Sequence, residues 1–471
     1  MNEKFKSAFE KIRKANVEVA DDDNSLFKAS LDHTRFSVKP AFVVYAKSVE
    51  DVQNVLRVAN EELVGVSVRG AGSGCAGGCV PIDEGIVLDL SKLNKIEIDS
   101  VSRIATVGAG AITADIDSCA NKFGLFYAPD PSSHKYSTIG GNIACNAGGL
   151  RALKYGVTRD NVISLTAVTA TGEIVNCARP LKKFSVGLNL RDLFVGSEGL
   201  LGVVVEAKLK LLPLPEAKRA VAIFFKDDFS AFEGVGKIMQ AQMSPCVLEF
   251  MDCETVACVR EKAPELNIPQ GSAVLLAEFD GTEEEVCKSA EKCARLFDCA
   301  KVSKSAEESQ KLWNIRRYAS SAMYLLADTK ISQDIVLPLD SLKQFFKFFK
   351  DLGSSFGLAT PVFGHSGDGN YHIHFMFNAD DVKAQQNARK AMDLSIEKVI
   401  ELGGAVSGEH GIGFAKAKYM SLQHSEFELD LMRKIKKVFD PNNILNNSKV
   451  VYVSGVYNRL SPLKDVKLPW D

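Results

Sequence analysis

Four of the seven histidines in this 471-residue chain lie between positions 365 and 410, close to acidic residues. They are His365, His372, His374 and His410. The first three belong to the segment 364–374, and the fourth follows Glu409 in the segment 407–413. Imidazole and carboxylate groups at this density are typical of a metal site or of a site of proton transfer.

The residues around the first three histidines indicate how those side chains are presented. Residues 368–370 favour a turn, and the run 371–377 favours a strand. Because side chains alternate along a strand, His372 and His374 share one face, with Cα atoms roughly 6.7 Å apart. His365 precedes the turn and can fold back toward that face. Two imidazoles with the glutamate beside the fourth histidine suit Zn²⁺, Fe²⁺ or Mn²⁺. The competing interpretation is a set of hydrogen-bonded core or loop histidines.

Composition restricts the classes of partner. The chain is 46% hydrophobic and 25% charged, with a net charge of −2, and gives no indication of nucleic-acid binding. We find no run of 18 or more apolar residues, and therefore expect no transmembrane segment. The N-terminus begins a charged helical pattern rather than the apolar core of a signal peptide.

The eleven cysteines are scattered and include no C-x-x-C pair. This usage predicts neither a disulfide scaffold nor an iron–sulfur cluster, and it fits a reducing compartment. We therefore expect a cytoplasmic protein, with peripheral membrane association left open.

A glycine-rich stretch, R-G-A-G-S-G-C-A-G-G, occupies positions 69–78. Glycines let backbone N–H groups wrap closely around phosphate oxygens. The spacing also matches the Rossmann fingerprint, but that motif requires a helix at once, whereas here a second strand, 85–90, is predicted. We interpret the stretch as an anion-binding loop between strands. The alternative is a glycine turn without a ligand.

Other elements follow from local patterns. Residues 42–45 predict a strand, and Ser48 with Asp51 predicts the start of the next helix. The run 101–107 predicts a strand, and Thr113 is a candidate N-cap. Between 215 and 305, strands alternate with amphipathic helices, which predicts an α+β layout with a mainly antiparallel sheet.

Five motifs in this order resemble the FAD-linked oxidases of the vanillyl-alcohol oxidase and p-cresol methylhydroxylase type, in the D-lactate, glycolate and D-2-hydroxyglutarate dehydrogenase branch. They are R-G-A-G-S-G at 69–74, S-T-I-G-G-N-I-A-C-N-A-G-G at 137–149, G-S-E-G-L-L-G at 196–202, G-H-S-G-D-G-N at 364–370 and S-G-E-H-G-I-G at 407–413. The resemblance extends over residues 38–450.

The resemblance implies an α+β fold with a two-subdomain FAD-binding domain and a ferredoxin-like substrate, or cap, domain. The cap domain would have an antiparallel sheet, and C-terminal helices would return to the FAD domain. The implied boundaries are an N-terminal arm at 1–37, the FAD-binding domain at 38–214, the substrate domain with the metal site at 215–425, and a C-terminal helix and tail at 426–471.

The resemblance also implies the residues that bind the cofactor. These are Arg69, Gly70, Ala71, Gly72, Ser73, Gly74, Pro131, Thr138, Gly141, Asn142, Gly199 and Val204. Some members attach FAD through a histidine in the glycine loop. The loop of this chain has no histidine, so we expect noncovalent FAD.

By the same resemblance, the metal ligands are His365, His372 and Glu409, and His410 is the catalytic base. Arg316 would hold the substrate carboxylate, with Lys330 and His374 also assigned to the substrate. His374 stands where relatives commonly have asparagine. A metal can lower the pKa of bound water from about 15.7 to about 7, and should act similarly on a bound hydroxyl.

The implied activity is oxidation of a small D-2-hydroxy acid to the 2-oxo acid by hydride transfer to flavin. Electrons would leave to a separate acceptor, either an electron-transfer flavoprotein, an iron–sulfur subunit or a quinone, and a homodimer is an open alternative to a monomer. Two other functions compete with it: a metal hydrolase, which leaves the glycine motifs unexplained, and an FAD-carrying electron-transfer subunit of a larger hydroxy-acid-oxidising complex.

Overall fold

The computed structural model describes residues 3–81 and 85–452, which form two compact units. The first unit joins Met1–Gly148, Gly156–Leu214 and Glu409–Asp471, and the second joins Gly149–Tyr155 to Pro215–Gly408. The boundaries at 37, 214 and 425 stay predictions, and residues 453–471 of the C-terminal segment lie outside the described residues.

The first unit contains most of the short helices, with elements numbered along the whole chain. Its helices are α1 (Glu3–Lys14), α2 (Asp23–Ala29), α3 (Val49–Glu61), α4 (Thr113–Asn121), α5 (Ile139–Cys145), α7 (Thr158–Asn161), α8 (Arg191–Phe194), α15 (Met420–Gln423) and α16 (Glu426–Phe439), while α6 (Ala152–Tyr155) belongs to the second unit. Its strands are β1 (Glu18–Ala20), β2 (Phe42–Tyr45), β3 (Val66–Arg69), β4 (Ile86–Asp89), β5 (Ile96–Asp99), β6 (Ile104–Gly108), β7 (Leu125–Phe126), β8 (Val162–Val168), β9 (Ile174–Cys177), β10 (Val203–Lys210) and β11 (Leu212–Pro213).

The first unit is built on two main sheets. A four-stranded sheet has the order β1-β2-β4-β3, and its strands β2, β4 and β3 are parallel. A five-stranded antiparallel sheet has the order β5-β6-β10-β8-β9. Each sheet has its own buried apolar core. The two sheets correspond to the two subdomains expected for the FAD-binding domain.

The local prediction at the start of α3 was right, and the one for residues 101–103 was wrong. The Ser48 hydroxyl and the Asp51 carboxylate form a capping box at the start of α3. The predicted strand at 101–107 instead begins at Ile104, because the Asp99 carboxylate accepts the N–H groups of Val101 and Ser102 and closes a turn.

Thr113 is the first residue of α4 and not its N-cap. The cap position belongs to Ile112, which makes no capping hydrogen bond through its side chain. The Thr113 hydroxyl instead donates to the Ser137 carbonyl and accepts from the Asn142 amide at 2.7 Å. It therefore links α4 to the segment that begins α5.

The C-terminal helices return to the first unit, as the resemblance implied. Near the end of α16, the buried Lys436 ammonium lies 2.6 Å from the Asp440 carboxylate and donates to the Leu200 and Leu445 carbonyls. Asp440 in turn accepts the N–H groups of Ile444 and Leu445. A buried ion pair with its remaining polar groups satisfied is tolerated in a core, and this pair positions the chain that follows α16.

The second unit contains one large sheet and long helices. Its strands are β12 (Ala217–Phe225), β13 (Val247–Met251), β14 (Ala273–Gly281), β15 (Ala300–Val302), β16 (Thr329–Val336), β17 (Val362–His365) and β18 (Asn370–Phe377). Its helices besides α6 are α9 (Asp228–Gln240), α10 (Cys253–Lys262), α11 (Glu283–Ala294), α12 (Ala306–Ala322), α13 (Leu342–Phe356) and α14 (Val382–Glu401). None of the helices in the described part of the chain combines the length and the apolar character that a membrane crossing requires.

The sheet of the second unit is antiparallel, with the order β15-β12-β14-β13-β17-β18-β16. Strands β12 to β15 with α9 and α11 follow the ferredoxin-like topology, and α10 is inserted between β13 and β14. Elements β16, α13, β17, β18 and α14 repeat that topology without its last strand. The ferredoxin-like prediction is thus confirmed, and the sheet is wider than a single copy.

The two faces of this sheet differ in chemistry. One face packs aromatic rings from β13, β18, α9 and α13 into a continuous core, including Phe250, Tyr371, Phe232 and Phe346. The other packs against α10 and α12 through residues such as Met251 and Phe363. Because side chains alternate along β18, its histidines lie on the side opposite to Tyr371.

Candidate functional site

A cleft of about 1460 Å³, part of it open to solvent, lies within the first unit. The predicted cofactor residues that line it are Gly70, Ala71, Gly72, Ser73, Gly74, Pro131, Thr138, Gly141, Asn142, Gly199 and Val204. Glu409 and His410 line the same cleft. The tertiary structure therefore brings three glycine-rich motifs and the glutamate–histidine pair around one space.

The glycine loop joins two strands, as predicted, and does not start a helix. β3 ends at Arg69 and the next regular element is β4. Gly72 has a φ of +76°, and a Cβ there would lie 2.0 Å from the Arg69 guanidinium. A Cβ at Gly70 would lie 2.0 Å from the Thr138 hydroxyl oxygen. Glycine is thus required by both backbone conformation and close packing, and the loop exposes backbone to the cleft.

Arg69 has a different position from the other predicted cofactor residues. Its guanidinium is buried beneath the loop and donates to the Leu31 carbonyl at 2.7 Å. Beside it, the buried Asp32 carboxylate accepts the Gly77 N–H at 2.8 Å. Burial raises the pKa of Asp32, and the hydrogen bonds from Thr34 and Gly77 oppose that rise. Asp32 therefore holds the glycine loop, and Arg69 links the end of β3 to the segment that contains Asp32.

Glu198 is a buried residue of the cleft that sequence reasoning did not single out. It lines the cleft, and its carboxylate accepts the N–H groups of Ile412 and Gly413, each at 2.7 Å. Burial raises the pKa of Glu198, and these two N–H groups oppose the rise. Its φ is +50°, an uncommon conformation for a residue other than glycine. Glu198 thus anchors the segment that follows His410.

The segment after α16 also contributes to the cleft, although it was predicted only as a tail. Asn446 lines the cleft and donates to the Glu198 carbonyl at 2.6 Å. Lys449 donates to Asn446 and to the Gly78 carbonyl at the end of the glycine loop. Burial lowers the pKa of Lys449 to about 8. In the sequence, only the preceding D-P-N-N turn at residues 440–443 indicates that the chain changes direction here.

In the second unit, polar side chains form a row across four neighbouring strands, β13, β17, β18 and β16. Glu249 is opposite His365, and Asp334 is opposite His372. The His365 and His372 rings are 5.4 Å apart between centroids and nearly perpendicular. In the register of β17 with β18, His372 is opposite Phe363, which shares a face of β17 with His365. The two imidazoles are therefore diagonal neighbours on one face of the sheet.

Glu249 begins this row and is fully buried. Its Oε1 accepts from His365 Nδ1 at 2.5 Å, and its Oε2 accepts from Arg316 Nε at 2.6 Å. Burial would raise the pKa of Glu249, but electrostatic interactions and hydrogen bonds with His365 and Arg316 lower it to about 2. Glu249 was not among the predicted site residues.

Asp334 lies at the other end of the row and is also fully buried. It accepts from the Asn370 amide at 2.5 Å, from the Ser407 hydroxyl at 3.0 Å and from the Gly408 N–H at 2.8 Å. Glu409 is the next residue in the chain. Asp334 therefore holds the end of the segment that leads to the predicted carboxylate ligand.

The predicted substrate residues Arg316, Lys330 and His374 lie on, or pack against, the face of the sheet that carries His365 and His372. The Arg316 guanidinium stacks 4.3 Å from the centroid of Phe363, whose ring also lies 5.2 Å from that of His374. His374 Nδ1 donates to the Pro361 carbonyl at 3.0 Å, and burial holds the pKa of His374 well below its usual value. Lys330 donates to the Ser320 hydroxyl at 3.3 Å, and burial lowers its pKa to about 8.

Comparisons with known proteins agree with this architecture. Residues 40–178 match the family model "FAD binding domain", and residues 214–450 match "FAD linked oxidases, C-terminal domain". The chain is 38% identical to the glycolate oxidase subunit GlcD of Bacillus subtilis, over 93% of this chain and 95% of the relative. It is 34% identical to a D-lactate dehydrogenase of Anaerostipes hadrus, over 96% and 97% of the two chains. It is 31% identical to a D-2-hydroxyglutarate dehydrogenase of Stutzerimonas stutzeri, over 92% and 96%.

Solved structures show the same fold at low sequence identity. p-Cresol methylhydroxylase superposes with a TM-score of 0.79 at 16% identity, covering 96% of this chain and 98% of the other. Alkyldihydroxyacetonephosphate synthase superposes with a TM-score of 0.74 at 19% identity, covering 95% and 86%.

We predict that Gly72→Ala weakens FAD binding about tenfold. A side chain held at a positive φ costs about 1–3 kcal/mol, and about 1.4 kcal/mol corresponds to a factor of ten in affinity. Gly124→Ala is the matched control, since Gly124 also has a positive φ, of +68°, but does not line the cleft. Titration of each apoprotein with FAD, followed by fluorescence quenching, measures the effect. Equal affinities for the two variants would contradict it.

The glycine motifs line one cleft, the second unit carries the histidine row, and both parts match their respective family models. Relatives align with the chain over nearly their full length. The chain belongs to the FAD-linked oxidases and is an FAD-dependent oxidoreductase of the group that includes glycolate oxidase subunit GlcD, D-lactate dehydrogenase and D-2-hydroxyglutarate dehydrogenase.

Proposed function

We propose that this enzyme oxidises a D-2-hydroxy acid of the lactate, glycolate or 2-hydroxyglutarate class to the 2-oxo acid. The observation that carries the proposal is that the cofactor motifs and the Glu409–His410 pair line the same cleft of the first unit. FAD held in that cleft would supply the acceptor for the hydride of C2. The chain itself must then remove the hydroxyl proton and hold the carboxylate. The names of the relatives favour this class of substrate.

His410 is the proposed general base. It is half-buried at the cleft, and Glu198 anchors the residues that follow it. An imidazole nitrogen can accept a proton from the hydroxyl and later release it.

Arg316 is the proposed carboxylate clamp. Its bond to Glu249 uses Nε, and stacking on Phe363 fixes the plane of the guanidinium. The Nη1 and Nη2 groups form the other edge of the planar fork, whose geometry suits a carboxylate. Lys330 and His374 are proposed to complete the substrate site, with the Lys330 ammonium attracting a negative charge.

His365, His372 and Glu409 are the proposed ligands of a divalent cation. The donor set fits such an ion, because two imidazoles and a carboxylate leave positions open for other ligands. The Nδ1 of His365 donates to Glu249, so its Nε2 is the nitrogen with a lone pair for the cation. A bound divalent cation would supply positive charge that makes a nearby hydroxyl more acidic.

We further propose that FAD is held without a covalent bond and that electrons leave to a separate acceptor. The alternative is that the chain is the FAD-carrying subunit of a larger oxidising complex. The word "subunit" in the name of two relatives favours a partner for them, and thus raises the same question here. Flavin that stays with the protein after acid precipitation would contradict noncovalent attachment.

Anaerobic mixing of the isolated chain with D-lactate, glycolate or D-2-hydroxyglutarate should bleach the flavin absorbance with at least one substrate. After treatment with a chelator and verified loss of metal, bleaching should slow by at least a hundredfold, and Zn²⁺ or Mn²⁺ should restore it. Stopped-flow absorbance measures both effects. L-Lactate serves as the control substrate.

Two outcomes would contradict these expectations. If no 2-hydroxy acid bleaches the flavin, the isolated chain is not the dehydrogenase, and the larger-complex alternative gains support. If metal-free protein reacts at the full rate, the assignment of His365, His372 and Glu409 as ligands fails.

We predict that His410→Ala keeps FAD bound but lowers the rate of flavin reduction about a hundredfold or more, the scale of a lost general base. His424→Ala is the control, since His424 lies 3.9 Å from Glu428 at a helix end. The FAD content of both variants is read from the absorbance spectrum. A near-normal rate in His410→Ala would remove His410 from the role of base.

We predict that KM for the substrate rises as the pH passes 8. Burial lowers the pKa of Lys330 to about 8, so its ammonium predominates below that pH and is lost above it. If the charge is needed for binding, KM should rise about fivefold from pH 8 to pH 9. Lys330→Arg stays charged over this range and should remove the rise. Identical pH profiles of KM for the two proteins would contradict a role of the Lys330 charge.

A further inference from the structure

One buried carboxylate contacts two residues that the proposed function places in different roles. Glu249 is fully buried on β13. One of its oxygens lies 2.5 Å from His365 Nδ1, and the other lies 2.6 Å from Arg316 Nε. His365 comes from β17 and Arg316 from α12, so the carboxylate joins two separate elements of the second unit.

Each of the two bonds fixes an orientation. A carboxylate on Nδ1 selects the imidazole tautomer whose Nε2 carries the lone pair, and it also sets the rotation of the ring. A carboxylate on Nε sets the plane of the guanidinium, so that the Nη1 and Nη2 edge has a defined direction. Without Glu249, His365 could turn and Arg316 could adopt other rotamers.

We propose that Glu249 is a positioning residue that couples a metal ligand, His365, to the substrate-carboxylate clamp, Arg316. The inference rests on the proposed function, because it takes the roles of His365 and Arg316 from there. One side chain thus orients both a ligand of the metal site and the arginine of the anion site. Damage to Glu249 should therefore weaken two kinds of binding at once.

The structure provides a matched comparison in Glu278. This glutamate lies on β14, on the same face of the sheet as Glu249, because Val247 is its partner in the register. It is also buried, at 8% exposure, and it accepts from Trp313 Nε1 at 2.6 Å. Trp313 lies on α12, the helix that carries Arg316. Replacing Glu278 therefore disturbs a buried carboxylate against the same helix through a different partner.

The test compares wild type, Glu249→Gln and Glu278→Gln. Glutamine keeps the size of glutamate, but its amide nitrogen must face one of the two N–H donors. Equilibrium dialysis of the chelated holoprotein against Zn²⁺ should show a dissociation constant about 10–100-fold higher in Glu249→Gln. Steady-state assays at saturating Zn²⁺ should show that Glu249→Gln has a KM about tenfold higher than wild type. Its kcat should then be close to the wild-type value. Glu278→Gln should stay within about twofold of wild type in both measurements.

The wild type separates failure of the proposed function from failure of this inference. Wild type that binds no Zn²⁺, or oxidises no 2-hydroxy acid, overturns the proposed function and the inference that rests on it. If wild type behaves as proposed, unchanged Zn²⁺ affinity and KM in Glu249→Gln overturn the inference alone. Equal losses in Glu278→Gln also overturn it, since they indicate a general packing effect.

A second variant keeps the test decisive if Glu249→Gln fails to fold. Glu249→Asp retains the charge but is shorter by one methylene, so it cannot reach both donors. Glu249→Asp should therefore raise the Zn²⁺ dissociation constant, KM or both above the wild-type values. Wild-type values for both quantities would overturn the inference.

Discussion

The register of four antiparallel strands is the constraint on which the chemistry of the second unit depends. It places Glu249 opposite His365 and Asp334 opposite His372. A shift of one residue would move every side chain of a strand to the other face of the sheet. The other face packs an aromatic core that includes Tyr371, so a slipped strand would place imidazoles among the aromatic rings and aromatic side chains among the polar ones. The packing of the core thus maintains the polar row.

In the first unit the comparable constraint is a set of buried charged groups that hold loops in place. Asp32 binds the glycine loop through the Gly77 N–H, and Lys449 binds it through the Gly78 carbonyl. Glu198 binds the segment after His410 through two N–H groups. Burying a charge is costly unless it is hydrogen-bonded, and such bonds tie long loops to one arrangement. These hydrogen bonds hold the loops of the cleft in one conformation, and groups that bind a ligand act best when they are held rigidly.

Features with local causes were predictable. The strand at 42–45, the cap at Ser48 and the strand-to-strand glycine loop depend on residues within a few positions of each other. Where a local pattern had two readings, prediction was weaker. The turn closed by Asp99 replaced part of a predicted strand, and the hydroxyl of Thr113 binds distant groups rather than capping its own helix.

The amino-acid sequence by itself determined the cofactor motifs, the histidine-rich segments and the family, because these consist of residue types at short, fixed spacings. Only the tertiary structure revealed Glu198 and Glu249 as supports of the predicted residues. Glu198 bonds to a backbone 214 residues away, and Glu249 to an imidazole 116 residues away. The sequence around a single acidic residue does not indicate such a distant partner, because the pairing of strands and the path of the chain decide which groups meet.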